Sequence, residues 1–255
     1  MTVLVRSAKG GNRMLYEYQV KSIEYLTANR MSRPVLAPGF PYISFNAVET
    51  LHLMQAMKVL HRDSVMEAIF DNKKKDRTTK ITAANKVLNL LVNKGYAKVA
   101  AADYALGYFY TLDERGLMYL RMDPNEMIES VGTKELAMYY VLNRVFISLV
   151  KKYRDEYDIY WGVEIGREPA DGYCRLKKYK EEKIIMVKLL KPVNVNDQVK
   201  EIKKLVEEIP NSLLWLEVDD VLVASPFKVN SYLEIMKDRE ICVDEDKIKA
   251  WVRSS

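Results

Sequence analysis

The sequence is poor in the residues that build disulfide scaffolds and metal centres. It has two cysteines, Cys174 and Cys242, and two histidines in 255 residues. Two cysteines are too few for a disulfide framework, so we expect a reduced, cytoplasmic protein. His52 and His61 have no cysteine near them in sequence, which argues against a zinc site. No run of about 18 uncharged apolar residues is present either, so we expect no contact with a membrane.

Several short nucleotide-binding and catalytic motifs are also missing. The glycines near Gly10 are not followed by the G-K-[ST] of a phosphate loop, there is no dinucleotide fingerprint, and Ser64 and Ser225 lack a G-x-S-x-G context. We therefore expect no cofactor. Hydrophobic residues make up 49% of the chain, which is enough for one large domain or two ordinary ones.

Positive charge is concentrated in one stretch of the sequence. The whole chain has a net charge of +5. Between residues 73 and 86 there are six basic residues and one acid, Asp76, so this window alone carries an equal excess. The six basic residues are Lys73, Lys74, Lys75, Arg77, Lys80 and Lys86.

Apolar periodicity predicts helices on both sides of this stretch. A first helix is predicted from about Met14 to Asn29. Asn46 is the predicted cap of "AVETLHLMQAMKVL", and Asp63 the predicted cap of "SVMEAIF". A helix beginning after a cap at Thr78 or Thr79 carries "KITAANKVLNLLVNK" and ends at a glycine.

Two strand-like runs follow, and they predict a β-hairpin. "YAKVAAA" and "GYFYTL" are separated by "DYAL", with Gly107 marking the return and a further helix opening at Asp113. Three helices followed by a hairpin are the order of a winged helix-turn-helix. In that fold the third helix enters the major groove of DNA, which is about 12 Å wide.

The winged helix-turn-helix interpretation assigns a set of DNA contacts. Lysine and arginine before and at the start of the third helix would bind phosphates, and Thr82, Asn85, Lys86 and Asn89 would read bases. The complete predicted set is Lys73, Lys74, Lys75, Arg77, Thr79, Lys80, Thr82, Asn85, Lys86, Asn89, Asn93 and Lys98.

The second half of the chain has a different pattern. A long apolar helix capped by Thr133 is followed by the strand-like runs "IYWGVEI", "GYCRLKKYK" and "KIIMVKLL", the helix "VNDQVKEIKKLVEEI", the strand "SLLWLEV" and the helix "PFKVNSYLEIMKD". Strands and helices that alternate predict a small α/β sheet. The predicted α+β chain therefore divides into an extension at 1–46, a winged helix-turn-helix at 47–125 and an α/β domain at 133–255.

The run from Val87 to Leu120, "VLNLLVNKGYAKVAAADYALGYFYTLDERGLMYL", resembles the winged-helix segment of the replication-relaxation proteins. Those are accessory proteins of plasmids, integrative elements and phages in Gram-positive bacteria. The resemblance continues through "ELAMYYVLNRVFISLVKKY" and "WGVEIGREPADGYCRL", and covers about Ala47 to Glu208. It implies binding to double-stranded DNA in replication, mobilisation or transcriptional control. A homodimer and a replication or relaxosome protein are the further partners it leaves open.

The resemblance also implies that the second domain is similar to a restriction-endonuclease fold. Such nucleases place an acid on one strand, then an acid and a lysine two positions apart on the next. Asp171 fits the first acid, but Met186 and Leu189 stand two positions before Lys188 and Lys191. We therefore expect a degenerate, non-catalytic domain without a metal, used for dimerisation or partner docking. The alternatives are a metal-dependent nuclease that uses Asp171, and a winged helix that binds protein.

Two other features have more than one interpretation. Glu217, Asp219 and Asp220 could hold Mg²⁺, although an acidic loop after a strand is the commoner explanation. Tyr108 and Tyr110 could pack on sugars or bases from the hairpin, although one face of such a strand is more often core.

Overall fold

The computed structural model shows a mixed α+β protein, which confirms the sequence prediction at this level of detail. Among the described residues there are six α-helices and three β-sheets, of two, three and six strands. The described residues are 2–6, 12–29, 40–71, 76–104, 106–163, 171–189, 220–225 and 240–242.

The N-terminal segment contains strands where one helix is predicted. Its elements are β1 (Thr2–Arg6), β2 (Asn12–Tyr16), β3 (Tyr18–Gln19) and α1 (Ile23–Asn29). The predicted helix from Met14 to Asn29 is therefore wrong in its first half. Tyr16, Tyr18 and Val20 are buried, and a burial period of two is that of a strand. Strands β1 and β2 form an antiparallel pair.

Three helices and three strands follow in interleaved order. They are α2 (Phe45–Met57), β4 (Leu60–His61), α3 (Arg62–Ile69), α4 (Arg77–Asn93), β5 (Ala97–Asp103) and β6 (Gly107–Leu112). Strand β6 lies between β4 and β5 and is antiparallel to both. The predicted hairpin is confirmed, and Gly107 has a φ of 92° at its return, in the region that glycine favours.

The first two of these helices begin at caps other than the predicted ones. The Ser44 hydroxyl accepts the N–H of Ala47 at the start of α2, so Asn46 is inside the helix. At α3 the imidazole of His61 accepts the N–H of Asp63, so Asp63 lies in the first turn. Serine, asparagine and aspartate cap with similar strength, so tertiary packing decides which one is used.

Two shorter elements lead into the longest helix. The helix predicted to open at Asp113 is confirmed as α5 (Glu114–Tyr119), with Asp113 as its N-cap, and a 3-10 turn spans Pro124–Glu126. Helix α6 spans Thr133–Tyr153, and its N-cap is Gly132 rather than Thr133.

The remaining strands form a mixed sheet that also takes in β3. They are β7 (Asp158–Val163), β8 (Gly172–Lys178), β9 (Glu181–Leu189), β10 (Asp220–Ser225) and β11 (Glu240–Cys242). The order is β11-β10-β9-β8-β7-β3. Strand β10 is parallel to both of its neighbours, and the other pairs are antiparallel.

Strands β7, β8 and β9 confirm three predicted strands. Strand β10 begins at Asp220, so the interpretation of this residue as part of a loop after a strand is wrong. The other predicted C-terminal elements, together with Glu217 and Asp219, lie outside the described residues, in the ranges 195–209, 212–218 and 226–238.

Helix α6 and the N-terminal segment both join the helical half to the six-stranded sheet. Phe146 of α6 packs on Trp161 of β7, with ring centroids 5.7 Å apart. Tyr18 pairs with Trp161 in the sheet, and its hydroxyl donates to Glu49 of α2 at 3.3 Å. The division of the chain at residue 46 stays a prediction, but β3 belongs to the sheet. Within the described part of the chain, no helix combines the length and apolarity needed to cross a membrane.

Candidate nucleic-acid interface

Helix α4 carries most of the predicted DNA contacts, and an acidic residue caps its N-terminus. The Asp76 carboxylate accepts the N–H of Thr79 at 2.8 Å and the Thr79 hydroxyl at 2.7 Å. These two hydrogen bonds lower the pKa of Asp76 from its ordinary value. The predicted cap at Thr78 or Thr79 is thus wrong. The chain itself supplies the anion that the helix N-terminus favours, so this end is not an open phosphate site.

The inner face of α4 is packed. Ala84, Val87, Leu88 and Leu91 are buried, and α4 contacts α2, α3 and β5. Ile81, one turn before Ala84 on the same helix, is half-buried.

The opposite face of α4 is polar and exposed. At 3.6 residues per turn, one face of the helix is shared by Thr78, Thr79, Thr82, Lys86, Asn89 and Asn93, which are all exposed. Asn85 is half-buried at the edge of this outer face. The Thr82 hydroxyl donates to the carbonyl of Thr78 at 2.9 Å and retains its acceptor lone pairs. Lys86 is the one charged residue on the face, so amides and hydroxyls dominate its chemistry.

Lys80 points away from that face and is paired within the fold. Its ammonium donates to the carboxylate of Asp71, and the Lys80 side chain is 17% exposed. A cation held by an internal acid supplies less charge to a phosphate than an exposed one. The predicted phosphate contact of Lys80 is therefore the least favoured of the set by the geometry.

Asp71 is shared with an arginine from α6. Nη1 of Arg154 lies 3.8 Å from the Asp71 carboxylate. The same guanidinium donates to the carbonyls of Glu67 and Ala68, each at 2.8 Å, where α3 ends. Arg154 thus ties α6 to the end of α3, and Asp71 continues that link to Lys80 on α4.

The buried side-chain amide of Asn143, on α6, links the start of α3 to that helix. Asn143 accepts the N–H of His61 at 2.9 Å and the Ser64 hydroxyl at 2.7 Å. Its NH₂ donates to the carbonyls of Val59 and Tyr139, at 2.9 and 2.7 Å. All four hydrogen-bonding positions of the side chain are therefore used.

The His61 ring is neutral in this arrangement. Nδ1 accepts a backbone N–H, and Nε2 lies 2.9 Å from the carbonyl oxygen of Leu106, so the proton is on Nε2. Burial lowers the pKa of His61 from its ordinary value, although the nearby Asp63 carboxylate opposes this. The His61 ring also packs on Phe109 of β6, with centroids 5.1 Å apart. A single side chain thus connects α3 to the β5–β6 hairpin.

The β5–β6 hairpin presents tyrosines more than cations. Tyr108 is 60% exposed and Val99 44%, while Tyr110 is buried, so only one of the two predicted tyrosines can contact a ligand. Tyr104 is fully exposed at the turn. Lys98 is half-buried on β5, opposite Thr111.

The remaining predicted contacts divide into two groups. Arg77 is exposed at the first residue of α4. Lys73, Lys74 and Lys75 lie outside the described residues.

Asp171 has a structural role in the six-stranded sheet. It is 1% exposed, and its carboxylate accepts the N–H of Leu189 at 2.9 Å. Its own backbone N–H donates to the carbonyl of Val187 at 2.9 Å, so both the side chain and the backbone of Asp171 are hydrogen-bonded to β9. Among the residues the structure describes, no group of three or more histidines, cysteines and acids is placed to hold a metal ion.

Some residues around α4 escape prediction from sequence. Thr78 lies on the outer face, and the helical period would have included it had Asp76 been chosen as the cap. Asp71 and Arg154 carry no local signal, because their pairing depends on packing between α3, α4 and α6.

Comparison of the chain with family models, with curated proteins and with solved structures gives no match.

Proposed function

We propose that the protein binds double-stranded DNA sequence-specifically through a winged helix-turn-helix formed by α2, α3, α4 and the β5–β6 hairpin. The order of elements supports this: a short strand lies between the first two helices, and the hairpin follows the third. The sheet order β4-β6-β5 also supports it, because the hairpin pairs with the short strand that lies between α2 and α3. In this fold α4 is the recognition helix and the hairpin is the wing.

The outer face of α4 carries the proposal. One face of the helix is fully packed, and the opposite face offers threonine, asparagine and lysine side chains over its length. Asparagine forms paired hydrogen bonds with adenine N6 and N7, and lysine reaches guanine O6 or N7. In this proposal Asn89 and Lys86 read bases, and their exposure on this face supports that role.

Phosphate binding then comes from basic residues at the edges of the recognition helix. Arg77 lies at the start of α4, and Lys98 lies on the wing. Together with Lys73 to Lys75 they supply the sequence-independent part of the affinity. Each phosphate neutralised steepens the dependence of log affinity on log salt by about 0.9. Lys80 contributes little to this slope because Asp71 already pairs with it.

The resemblance to replication-relaxation proteins suggests the biological setting. We assign the protein to replication, mobilisation or transcriptional control of a plasmid or phage. The six-stranded sheet serves in dimerisation or in docking a replication protein, without catalysis. A homodimer would read two half-sites about 34 Å apart along the duplex, one helical turn.

The test compares two kinds of lysine variant on two kinds of duplex. Lys86→Ala removes an exposed base-reading group from α4, and we expect a loss of about 1 to 3 kcal/mol on the preferred sequence only. Joint replacement of Lys73 to Lys75 by alanine should weaken every duplex alike and flatten the salt slope by up to about 2.7. Lys151→Ala, an exposed lysine on α6, is the control that should change neither quantity.

Equal losses on preferred and random duplex for Lys86→Ala would remove the base-reading role. Binding that is absent for the wild type on every duplex would remove the proposed function as a whole. The measurement is fluorescence anisotropy across a series of salt concentrations.

A second candidate function is a winged helix that binds another protein. Val99 and Tyr108 favour it, because the wing exposes these two side chains and has one basic residue, Lys98. Wings that lie along DNA backbones need cations there. Tyr108→Asp would abolish a protein contact, whereas DNA binding through α4 should survive this substitution.

A further inference from the structure

The turn between β8 and β9 holds a tyrosine in a position that glycine usually occupies. Lys178 pairs with Glu181 in the antiparallel register, so Tyr179 and Lys180 form a two-residue hairpin turn. Tyr179 has a φ of 53°, and Lys180 is not among the residues with positive φ. A positive φ at the first turn residue alone is the type II′ pattern, in which glycine is preferred there.

Packing does not compensate for this backbone strain. The Tyr179 side chain is 88% exposed. Within the described part of the chain, its ring contact is the ammonium of Lys180, 5.6 Å from the ring centroid. Strained conformations of bulky residues concentrate at functional sites, where the side chain is needed in that place.

Tyr179 and Lys180 directly follow Lys178, which is one end of a row of lysines and tyrosines that contact one another. Lys178 lies 5.5 Å from the ring of Tyr157, and Tyr157 packs on Tyr153 with centroids 5.8 Å apart. Lys152 in turn lies 4.9 Å from the Tyr153 ring. We call this row the lysine–tyrosine strip; it consists of Lys152, Tyr153, Tyr157, Lys178, Tyr179 and Lys180.

We propose that the lysine–tyrosine strip binds single-stranded nucleic acid, with Tyr179 stacked on an unpaired base and the lysines on neighbouring phosphates. Alternating aromatic rings and cations are the chemistry that recognises unpaired strands, because every base offers a π-face and every linkage a charge. The strip lies at the end of α6, just before β7, and at the end of β8 and its turn into β9, so it is separate from α4 and goes beyond the proposed duplex site.

Charge alone does not explain the strip. Residues 177–183 carry four lysines and two glutamates, and Asp158 faces Lys177 across the β7–β8 pair. These acids reduce the attraction for an anionic surface such as a membrane or the outside of a duplex. Stacking is short-ranged and unaffected by them, whereas the part of the affinity that comes from lysine–phosphate contacts should fall as the salt concentration rises.

The experiment measures binding of the full chain to a labelled strand of thymidines about 20 nucleotides long, which exceeds the roughly 4 to 16 nucleotides of a stacking groove. We expect Tyr179→Ala to weaken binding by about 10-fold, the size of one lost base stack, and Tyr179→Phe to bind like the wild type. Tyr179→Gly should bind as weakly as Tyr179→Ala and unfold at the same or a higher temperature, because glycine relieves the turn. That variant separates lost binding from lost folding.

Tyr104→Ala is the matched control, since Tyr104 is also a fully exposed turn tyrosine but follows Asp103 rather than lysines. Equal binding by wild type and Tyr179→Ala, or no binding to the strand at all, would overturn the proposal. So would a loss in Tyr104→Ala alone, which would place the strand on the β5–β6 hairpin. Tyr179-dependent binding to phosphatidylserine vesicles in place of the strand would assign the strip to membranes. Failure of the duplex site is detected separately, by the Lys86→Ala measurement on duplex DNA.

Discussion

Replacement of Asn143 by leucine tests how strand β4 and helix α3 are held on α6. The substitution keeps the branched shape and the number of heavy atoms of the side chain, at a somewhat larger volume, but removes all of its hydrogen bonds. Three buried groups outside α6 then lose their partner: the N–H of His61, the hydroxyl of Ser64 and the carbonyl of Val59. His61 and Ser64 are 5% and 0% exposed, so water does not replace the lost bonds.

The expected magnitude follows from these three groups. A buried polar group left without a partner costs about 2 kcal/mol, so the three together cost roughly 6 kcal/mol. Burial of the leucine side chain offsets about 2 kcal/mol of this. We expect the free energy of unfolding to fall by about 4 kcal/mol.

The assay is urea denaturation followed by circular dichroism, with the m-value compared between variants to check that unfolding stays two-state. Ser148→Ala is the control, because the Ser148 hydroxyl donates only to the Arg144 carbonyl within α6. Ser64→Ala should cost less in the Asn143→Leu background than in the wild type, since the hydroxyl no longer has a partner there. A loss below about 1 kcal/mol for Asn143→Leu would refute the reasoning.

Two further predictions concern stability. Gly116→Ala would put a Cβ atom 2.1 Å from the backbone oxygen of Tyr96, so we expect a loss of about 1 to 3 kcal/mol in denaturation. The loss should be smaller for Gly132→Ala, where nothing lies within 4 Å and only the N-cap of α6 is weakened. Burial lowers the folded-state pKa of His61, so as the pH falls the unfolded chain is protonated at a higher pH than the folded protein. The contribution of neutral His61 to stability is therefore complete above about pH 6.5 and is lost as the pH falls towards the folded pKa. Subtracting the pH profile of His61→Gln from that of the wild type isolates this contribution, and identical profiles would contradict it.

The predictions that succeed rest on local patterns. The outer face of α4 follows from the period of its buried residues, and the β5–β6 hairpin from two apolar runs that return at Gly107. Strand β3 is not predicted, because its two residues, Tyr18 and Gln19, are too few to show an alternating pattern. Its partner, β7, is far along the chain, so the choice between helix and strand depends on tertiary structure.

In the candidate site, the sequence likewise predicts what depends on local pattern and misses what depends on tertiary packing. Sequence identifies Lys86 and Asn89 as outward-facing, since one helix fixes both. It cannot separate them in role from Lys80, whose charge is paired with Asp71 only after α3, α4 and α6 pack together. Tyr179 is missed for a related reason, because its positive φ depends on the register of β8 and β9.

The most direct measurement is binding of the wild-type chain to a library of duplexes at two salt concentrations, about 50 and 200 mM, a range over which contacts to phosphate alone weaken steeply. If the outer face of α4 reads bases, a subset of sequences should remain bound at the higher salt and share a common motif. Binding that is equal for all sequences and disappears at the higher salt would contradict sequence-specific recognition by α4.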